Sequence, residues 1–110
     1  MGGDFADLDS VQRTGVDVST SGDTTVVAAQ GAGKRILVCA FKIVSAASVT
    51  VRFKSGNGNN ISASYSLGIN DDLTFDWCPY GWFRTNANEA FVVNQSLAIS
   101  SAAQVLWIIV

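Results

Sequence analysis

The stretch Ser48-Val49-Thr50-Val51-Arg52-Phe53-Lys54 alternates polar and apolar side chains at every position. Successive side chains of a β-strand point to opposite faces of a sheet, so Val49, Val51 and Phe53 share one face. A strand with one apolar and one polar face is typical of an antiparallel sheet that covers a core on one side only. This stretch therefore predicts an antiparallel strand with one face exposed to water.

Segments with strand-like patterns lie on both sides of this stretch. The segment 34–45 is apolar and rich in β-branched residues, which predicts a central strand. Turn-forming residues separate it from the other predicted strands, which are 11–19, 24–29, 61–67, 73–78, 90–99 and 103–110. With about eight strands and no amphipathic helix, the chain is predicted to be all-β: a single-domain antiparallel β-sandwich, jelly-roll-like.

The alternation also predicts which side chains form the core. They are Ile36, Val38, Phe41, Val49, Val51, Phe53, Phe75 and Val105. The chain has 110 residues, enough for one domain that folds without metals or disulfides. It is 48% hydrophobic but only 15% charged, so we expect a surface built from Ser, Thr, Asn, Gln and Gly and a partner that covers part of its apolar area.

The first ten residues differ from the rest. They carry several aspartates and few residues that favour strands. Such a segment buries too little apolar surface to offset the entropy of ordering. We therefore predict a flexible N-terminal arm over 1–10 that orders on a partner, with Asp4, Phe5 and Leu8 as its docking contacts, and a β-sandwich domain over 11–110.

The composition argues against several classes of function. The chain has no histidine, which removes the commonest general base and metal ligand. Its seven Lys and Arg residues are scattered, whereas nucleic-acid binding needs clustered cations. No segment has the run of about 20 apolar residues that a membrane helix needs. We therefore expect no enzyme, no cofactor, no metal, no nucleic-acid partner and no membrane partner.

Three further features have an ordinary structural interpretation. Gly31-Ala32-Gly33-Lys34-Arg35 is similar to part of a phosphate-binding loop, but it lacks the first glycine and the Ser or Thr, and a strand follows it. Asp71, Asp72 and Asp76 match no known calcium loop. Cys39 and Cys78 are predicted to be free, buried thiols, since the N-terminus shows no export signal that would lead to an oxidising compartment.

Two groups of residues are candidates for a binding site. An aromatic cluster lies at Trp77, Tyr80, Trp82 and Phe83, and Tyr80 and Trp82 could contact a sugar or a protein partner. The alternative is that Trp77 and Phe83 close one end of the core while Trp82 covers an edge. The polar loop 55–60 supplies Asn57, Asn59 and Asn60, which could bind a glycan or form a solvated loop at the rim; Asn57-Gly58 also fits a type I′ turn.

The C-terminal strand is a candidate interface. Residues 105–110 are apolar at every position, so both faces of this strand need to be covered. A symmetric oligomer would cover the second face and would make Leu106, Trp107, Ile108 and Ile109 interface residues. The alternative is that a loop or the second sheet of the same protomer covers that face.

Four stretches together resemble a known family. They are Val26–Ile36 (Val-Val-Ala-Ala-Gln-Gly-Ala-Gly-Lys-Arg-Ile), Val49–Gly56 (Val-Thr-Val-Arg-Phe-Lys-Ser-Gly), Gly81–Thr85 (Gly-Trp-Phe-Arg-Thr), and Glu89-Ala90-Phe91 with Asn94-Gln95-Ser96-Leu97. In this order they resemble small β-structured virion proteins of tailed bacteriophages, which serve as head decoration (cement) proteins or as modules of tail fibres and spikes.

This resemblance implies a function as well as a fold. It implies a jelly-roll protein of the virion, usually a homotrimer, without catalytic residues. Its partner would be the major capsid protein or another virion protein, and we expect it to be made in the host cytoplasm and to end on the head surface. The alternative is a receptor-binding tail-fibre or spike module that recognises a host surface glycan.

Overall fold

The computed structural model describes residues 10–110 and shows two antiparallel sheets packed against each other. This part of the chain is built from strands and from the turns and loops that join them. It contains no helix long and apolar enough to cross a membrane. The strands of the described residues are β1 Gln12–Val18, β2 Gly22–Val27, β3 Ile36–Ser45, β4 Val49–Ser55, β5 Asn59–Asn60, β6 Tyr65–Leu67, β7 Asp72–Phe75, β8 Phe83–Arg84, β9 Phe91–Gln95 and β10 Ser101–Ile109.

The strand order is that of a jelly roll. The first sheet runs β1-β10-β3-β7, with β8 also paired to β3, and the second runs β2-β9-β4-β5, with β6 also paired to β4. The pairs β1–β10, β2–β9, β3–β7 and β4–β6 are nested in the sequence, as in one long antiparallel hairpin. Rolling this hairpin up brings β10 beside β3 and β9 beside β4. The predicted β-sandwich is confirmed, and so is its jelly-roll character.

The core lies between the two sheets and is built around Phe53. Its ring packs against Phe41 at a centroid distance of 4.8 Å, against Phe83 at 5.1 Å and against Phe91 at 5.9 Å. Such aromatic pairs add about 0.5–1.5 kcal/mol each to the gain from burial. The predicted core residues are buried except Phe75, which is half-buried at the edge of the first sheet.

Several predicted boundaries were wrong, because hydrogen bonding across the sheets decides where a strand ends. The predicted strand 61–67 is confined to Tyr65–Leu67, and 90–99 ends at Gln95. The polar loop 55–60 is a hairpin in which Asn59 and Asn60 pair with Ser55 and Lys54. Its turn has a positive φ at Gly56 and not at the two residues that follow, so the type I′ turn is also wrong.

The predicted N-terminal arm lies outside the described residues, apart from Ser10. The proposed docking contacts Asp4, Phe5 and Leu8 therefore have no structural description. The division into an arm over 1–10 and a domain over 11–110 stays a prediction.

Candidate functional site

The segment 76–82, which we call the aromatic loop, interrupts one edge of the first sheet. It leaves β3 after Phe75 and returns at Phe83. Two backbone hydrogen bonds hold it on β3: Cys78 N–H donates to Cys39 O at 2.8 Å, and Trp82 N–H donates to Val38 O at 2.7 Å. The loop is therefore part of the sheet edge. These two hydrogen bonds fix its backbone, and the side chains between them project from that fixed backbone.

Gly81 allows the loop to lie directly on β3. Its φ is 84°, in the left-handed region that favours glycine. A Cβ at this position would lie 2.3 Å from Cδ1 of the buried Leu37 side chain. A larger residue would have to push the loop away from the sheet. Glycine is therefore required here both by backbone conformation and by close packing.

The aromatic side chains of the loop have different roles. Trp82 is fixed in place, because its Nε1 donates to Asp76 O at 2.6 Å and its ring packs 5.1 Å from that of Phe75. It still exposes 48% of its surface, and Tyr80 exposes 69%. The suggestion that Phe83 closes the core and Trp82 covers an edge is confirmed. Trp77 does not close the core as suggested, because its strand ends at Phe75 and the loop carries Trp77 outward.

The aromatic loop borders the outward-facing surface of the first sheet, which we call the outer face. The residues of this face that are not buried are small or polar apart from Val44 and Leu106; they are Arg13, Gly15 and Asp17 of β1, Ala102, Gln104 and Leu106 of β10, Ala40, Lys42 and Val44 of β3, and Asp72 and Thr74 of β7. The buried Leu37, Cys39 and Ile108 lie on the same side of the sheet. A shallow open groove of about 390 Å³ crosses this face between Trp77 and Leu106. Its shape suits a protruding side chain or loop better than an enclosed small molecule.

The predicted C-terminal interface is only partly available. Trp107 is buried in the core, where its Nε1 donates to Thr14 Oγ1 at 3.0 Å, so its assignment to an interface was wrong. Ile108 was also wrong, because it is buried against Leu37 and Cys39 on the outer side of the sheet. Leu106 is half-buried on the outer face, and Ile109 is 40% exposed.

The physical reason is the position of β10 between β1 and β3. Trp107 follows Ala103 and Val105 onto the core side by alternation, and the register shift, which leaves Cys39 without a partner in β10, sets the core residue Val38 opposite it. Val11 and Val110 pack against the small cluster that contains Ile108. The second face of this end of the strand is thus covered within the protomer, which is the alternative that the sequence left open.

The three asparagines of the β4–β5 hairpin have structural roles. Asn59 Nδ2 donates to Glu89 Oε1 at 3.4 Å, Asn60 pairs with Lys54 in the sheet, and the Asn57 carbonyl accepts from Lys54 Nζ at 2.7 Å. All three side chains remain exposed. The hydrogen bonds indicate a hairpin held by Glu89 and Lys54 and not a free loop; a contact to a glycan stays a prediction.

Glu89 is the acceptor at the centre of this cluster. Ser55 Oγ donates to its Oε1 at 2.6 Å, and Asn86 Nδ2 donates at 3.1 Å. The hydrogen bond from Ser55 lowers the pKa of Glu89, and those from Asn86 and Asn59 act in the same direction against partial burial. Glu89 is therefore held ionised as an anchor for the loops around it. Such a lowered pKa is the opposite of what a general acid requires.

The two cysteines are free, as predicted, but only Cys39 is buried; Cys78 is half-buried. Burial raises the pKa of the Cys39 thiol to about 11, and the neighbouring Cys78 adds to the rise. A buried thiol with a raised pKa is a poor nucleophile. In the part of the chain that the structure describes, no group of three or more His, Cys, Asp or Glu residues is placed to hold a metal ion.

No protein-family model matches the chain, and no curated protein matches its sequence.

Proposed function

We propose that this chain is a non-enzymatic structural protein of a bacteriophage virion, specifically a decoration (cement) protein that binds and stabilises the head surface. The observation that carries the proposal is the surface formed by the aromatic loop and the outer face. It presents Trp77, Tyr80 and Trp82 beside a shallow groove, and exposed Trp and Tyr side chains dominate the binding energy of many protein interfaces. The resemblance to phage virion proteins supports this choice of partner.

The rigidity of the surface favours a protein partner. The loop backbone is held on β3 at Cys78 and Trp82, and the Trp82 ring is held by Asp76. A side chain that is already ordered loses little entropy on binding, so more of its contact energy becomes affinity. A decoration protein has to stay bound to a shell for long periods. A preformed apolar surface supports such long-lived binding.

The test is co-sedimentation with empty shells assembled from the major capsid protein of the same phage. We expect the wild type to pellet with the shells at saturable stoichiometry and to raise their melting temperature. Trp77→Ser should weaken binding about 30-fold, in line with a loss of about 2 kcal/mol at an interface hot spot. The matched control is Leu97→Ser, which removes an equally exposed apolar side chain from the loop between β9 and β10. Equal loss in both variants, or no binding by the wild type, would contradict the proposal.

We also propose that the protein is a homotrimer, as the resemblance implies, with Leu106 and Ile109 as its available C-terminal interface residues. Leu106 lies in the groove of the outer face, where a neighbouring copy would bury it. Leu106→Glu should then dissociate the trimer while the circular dichroism spectrum of the β-sandwich stays unchanged, because burying the charged pair that it would form with Arg13 of β1 is costly. Sedimentation of the wild type as a monomer at micromolar concentration would contradict this.

One observation favours the second candidate function, a receptor-binding tail module. The Trp82 ring is fixed and half-exposed beside Tyr80, which is how a flat stacking platform for a sugar ring would be built. Reproducible binding on a glycan array that disappears in Trp82→Ala would favour this function. Binding to capsid shells without any glycan binding would favour decoration.

A further inference from the structure

The outer edges of the two sheets differ in how much backbone they offer to another strand. The edge at β2 contains a register shift between Thr25 and Val27. The edges opposite are short pieces: β7 and β8, which the aromatic loop separates, and β5 and β6. Natural sheets use such bulges, breaks and short strands to prevent pairing with other chains. The edge at β1 has none of these protections.

Strand β1 pairs with β10 over Gln12–Val18 without a shift in register. It is the last strand of its sheet, and within residues 10–110 no second strand pairs with its other side. A long edge without a bulge or a proline is the kind that accepts a further strand.

Gly15 lies at the centre of β1, and no contact or backbone conformation in the described part of the protomer requires a glycine there. Its φ is not in the left-handed region. Among the described residues, the nearest atom to a Cβ built at this position is Ala103 O, at 3.9 Å, so a larger side chain would fit. Glycine weakens the interior of a strand and often marks a place where another backbone approaches closely. Position 15 therefore accepts a side chain on the outer face, and the bare centre of β1 leaves its backbone open to a partner strand.

The charges of β1 are arranged symmetrically about this glycine. Arg13 and Asp17 lie two residues to either side of Gly15, are both exposed, and share the outer face with it. The one ion pair within residues 10–110 joins Lys54 to Asp23, so Arg13 and Asp17 are not paired there. In an antiparallel pair of two such strands centred on Gly15, each Arg13 lies directly opposite Asp17 of the partner subunit.

We propose that β1 pairs in an antiparallel manner with β1 of a second copy of this chain, across a two-fold axis at Gly15. The first sheets of the two protomers then form one continuous sheet. Opposite charges directly across an antiparallel pair stabilise it, and this register provides two such pairs. On the inner side, Thr14 lies opposite Val16 of the partner subunit, a pair of β-branched residues that suits a sheet. This contact does not depend on the virion function proposed above.

The first test is a charge swap read by sedimentation of the full chain over a range of micromolar concentrations. We expect the wild type to form oligomers with an even number of chains, which are hexamers where the proposed trimers pair two by two through β1. Arg13→Asp and Asp17→Arg should each weaken association about tenfold or more, because each replaces two attractive pairs by two repulsive ones. The double variant Arg13→Asp with Asp17→Arg should restore association, since it recreates both pairs with the signs exchanged. Failure of the double variant to recover would overturn the proposal.

The second test is a cross-link that reports the register. Directly opposed residues of an antiparallel pair have Cα atoms about 4.5–5.5 Å apart, within the range of a disulfide. Gly15→Cys in a Cys78→Ser background should therefore form a disulfide-linked dimer under mild oxidation. Ala102→Cys in the same background is the control, because Ala102 is exposed on the same face but lies one strand away from the edge. Equal cross-linking at both positions, or none at position 15, would overturn the proposal.

The same sedimentation experiment separates this contact from the proposed trimer. A wild type that is monomeric, or that contains an odd number of chains at every concentration, overturns the β1 contact. Dissociation by Leu106→Glu but not by Arg13→Asp would assign association to the outer face alone and would also overturn it. Dissociation into smaller oligomers by Arg13→Asp, with recovery in the double variant, supports it whether or not the protein binds capsid shells.

Discussion

Replacing Gly81 with alanine would measure how firmly the aromatic loop is seated on the first sheet. An alanine with a φ of 84° costs about 1–2 kcal/mol, because L-residues are disfavoured in the left-handed region. Its Cβ would also lie 2.3 Å from Leu37 Cδ1, and relieving such an overlap in a packed site costs about 1–3 kcal/mol. The free energy of unfolding should therefore fall by about 2–5 kcal/mol.

Gly33→Ala provides the matched control. Gly33 has a φ of 75°, but no atom lies within 4 Å of the position of its Cβ. This variant should lose only the conformational part, about 1–2 kcal/mol. The difference between the two variants isolates the contact with Leu37. Urea unfolding followed by far-ultraviolet circular dichroism should show it as a shift in midpoint of about 0.7–2 M, for an m-value near 1.5 kcal/mol/M.

A double-mutant cycle with Leu37→Ala would then identify the contact directly. Shortening Leu37 creates space for the new Cβ, so the double variant should be less destabilised than the sum of the single variants by about 1–3 kcal/mol. If Gly81→Ala and Gly33→Ala lose the same stability, or if the two changes in the cycle are additive, then the loop does not rest on Leu37 and the rigid aromatic surface is refuted.

The remaining predictions concern titratable groups. Alkylation of the native protein at pH 8 should label Cys78 much faster than Cys39, which is buried and has a pKa raised to about 11; equal rates would contradict the described burial. Because the Cys39 pKa is raised above its usual 9.0, the contribution of this thiol to stability should be fully present below pH 9 and be lost as the pH rises towards 11; urea unfolding should show this fall, and Cys39→Ala should remove it. Hydrogen bonds from Ser55 to Glu89 and from Asn94 to Asp23 lower the pKa values of both carboxyls, so the stability they contribute is present above their usual values of 4.5 and 3.8 and should be lost as the pH falls further. A midpoint that does not change between pH 6 and pH 3 would contradict this.

Much of the candidate site could not be predicted because it depends on where strands stop pairing. The alternation within 73–78 predicts one strand, in which Trp77 would lie on the same side as the core residue Phe75. In the structure β3 pairs with β7 only as far as Phe75, and Trp77 turns outward into the groove. The burial of Ile108 likewise depends on neighbours that are distant in sequence, Leu37 and Cys39, which a register shift in β3 brings to the same side of the sheet. Pro79, which cannot donate a backbone hydrogen bond, is the one local signal that the strand does not continue.

The sequence by itself determined the fold class and the core. It also excluded a histidine-based site, because the chain has no histidine. Alternation with a period of two is a local property, so Val49, Val51 and Phe53 could be assigned to the core from their spacing alone. Only the tertiary structure decided the nested strand order, the network in which buried Gln95 donates to the carbonyls of Leu97 and Ile99, and the edge at β1, on which no further strand of residues 10–110 pairs. These features join residues that are far apart in the chain or bond to backbone groups, and a linear pattern of apolar and polar residues does not encode such contacts.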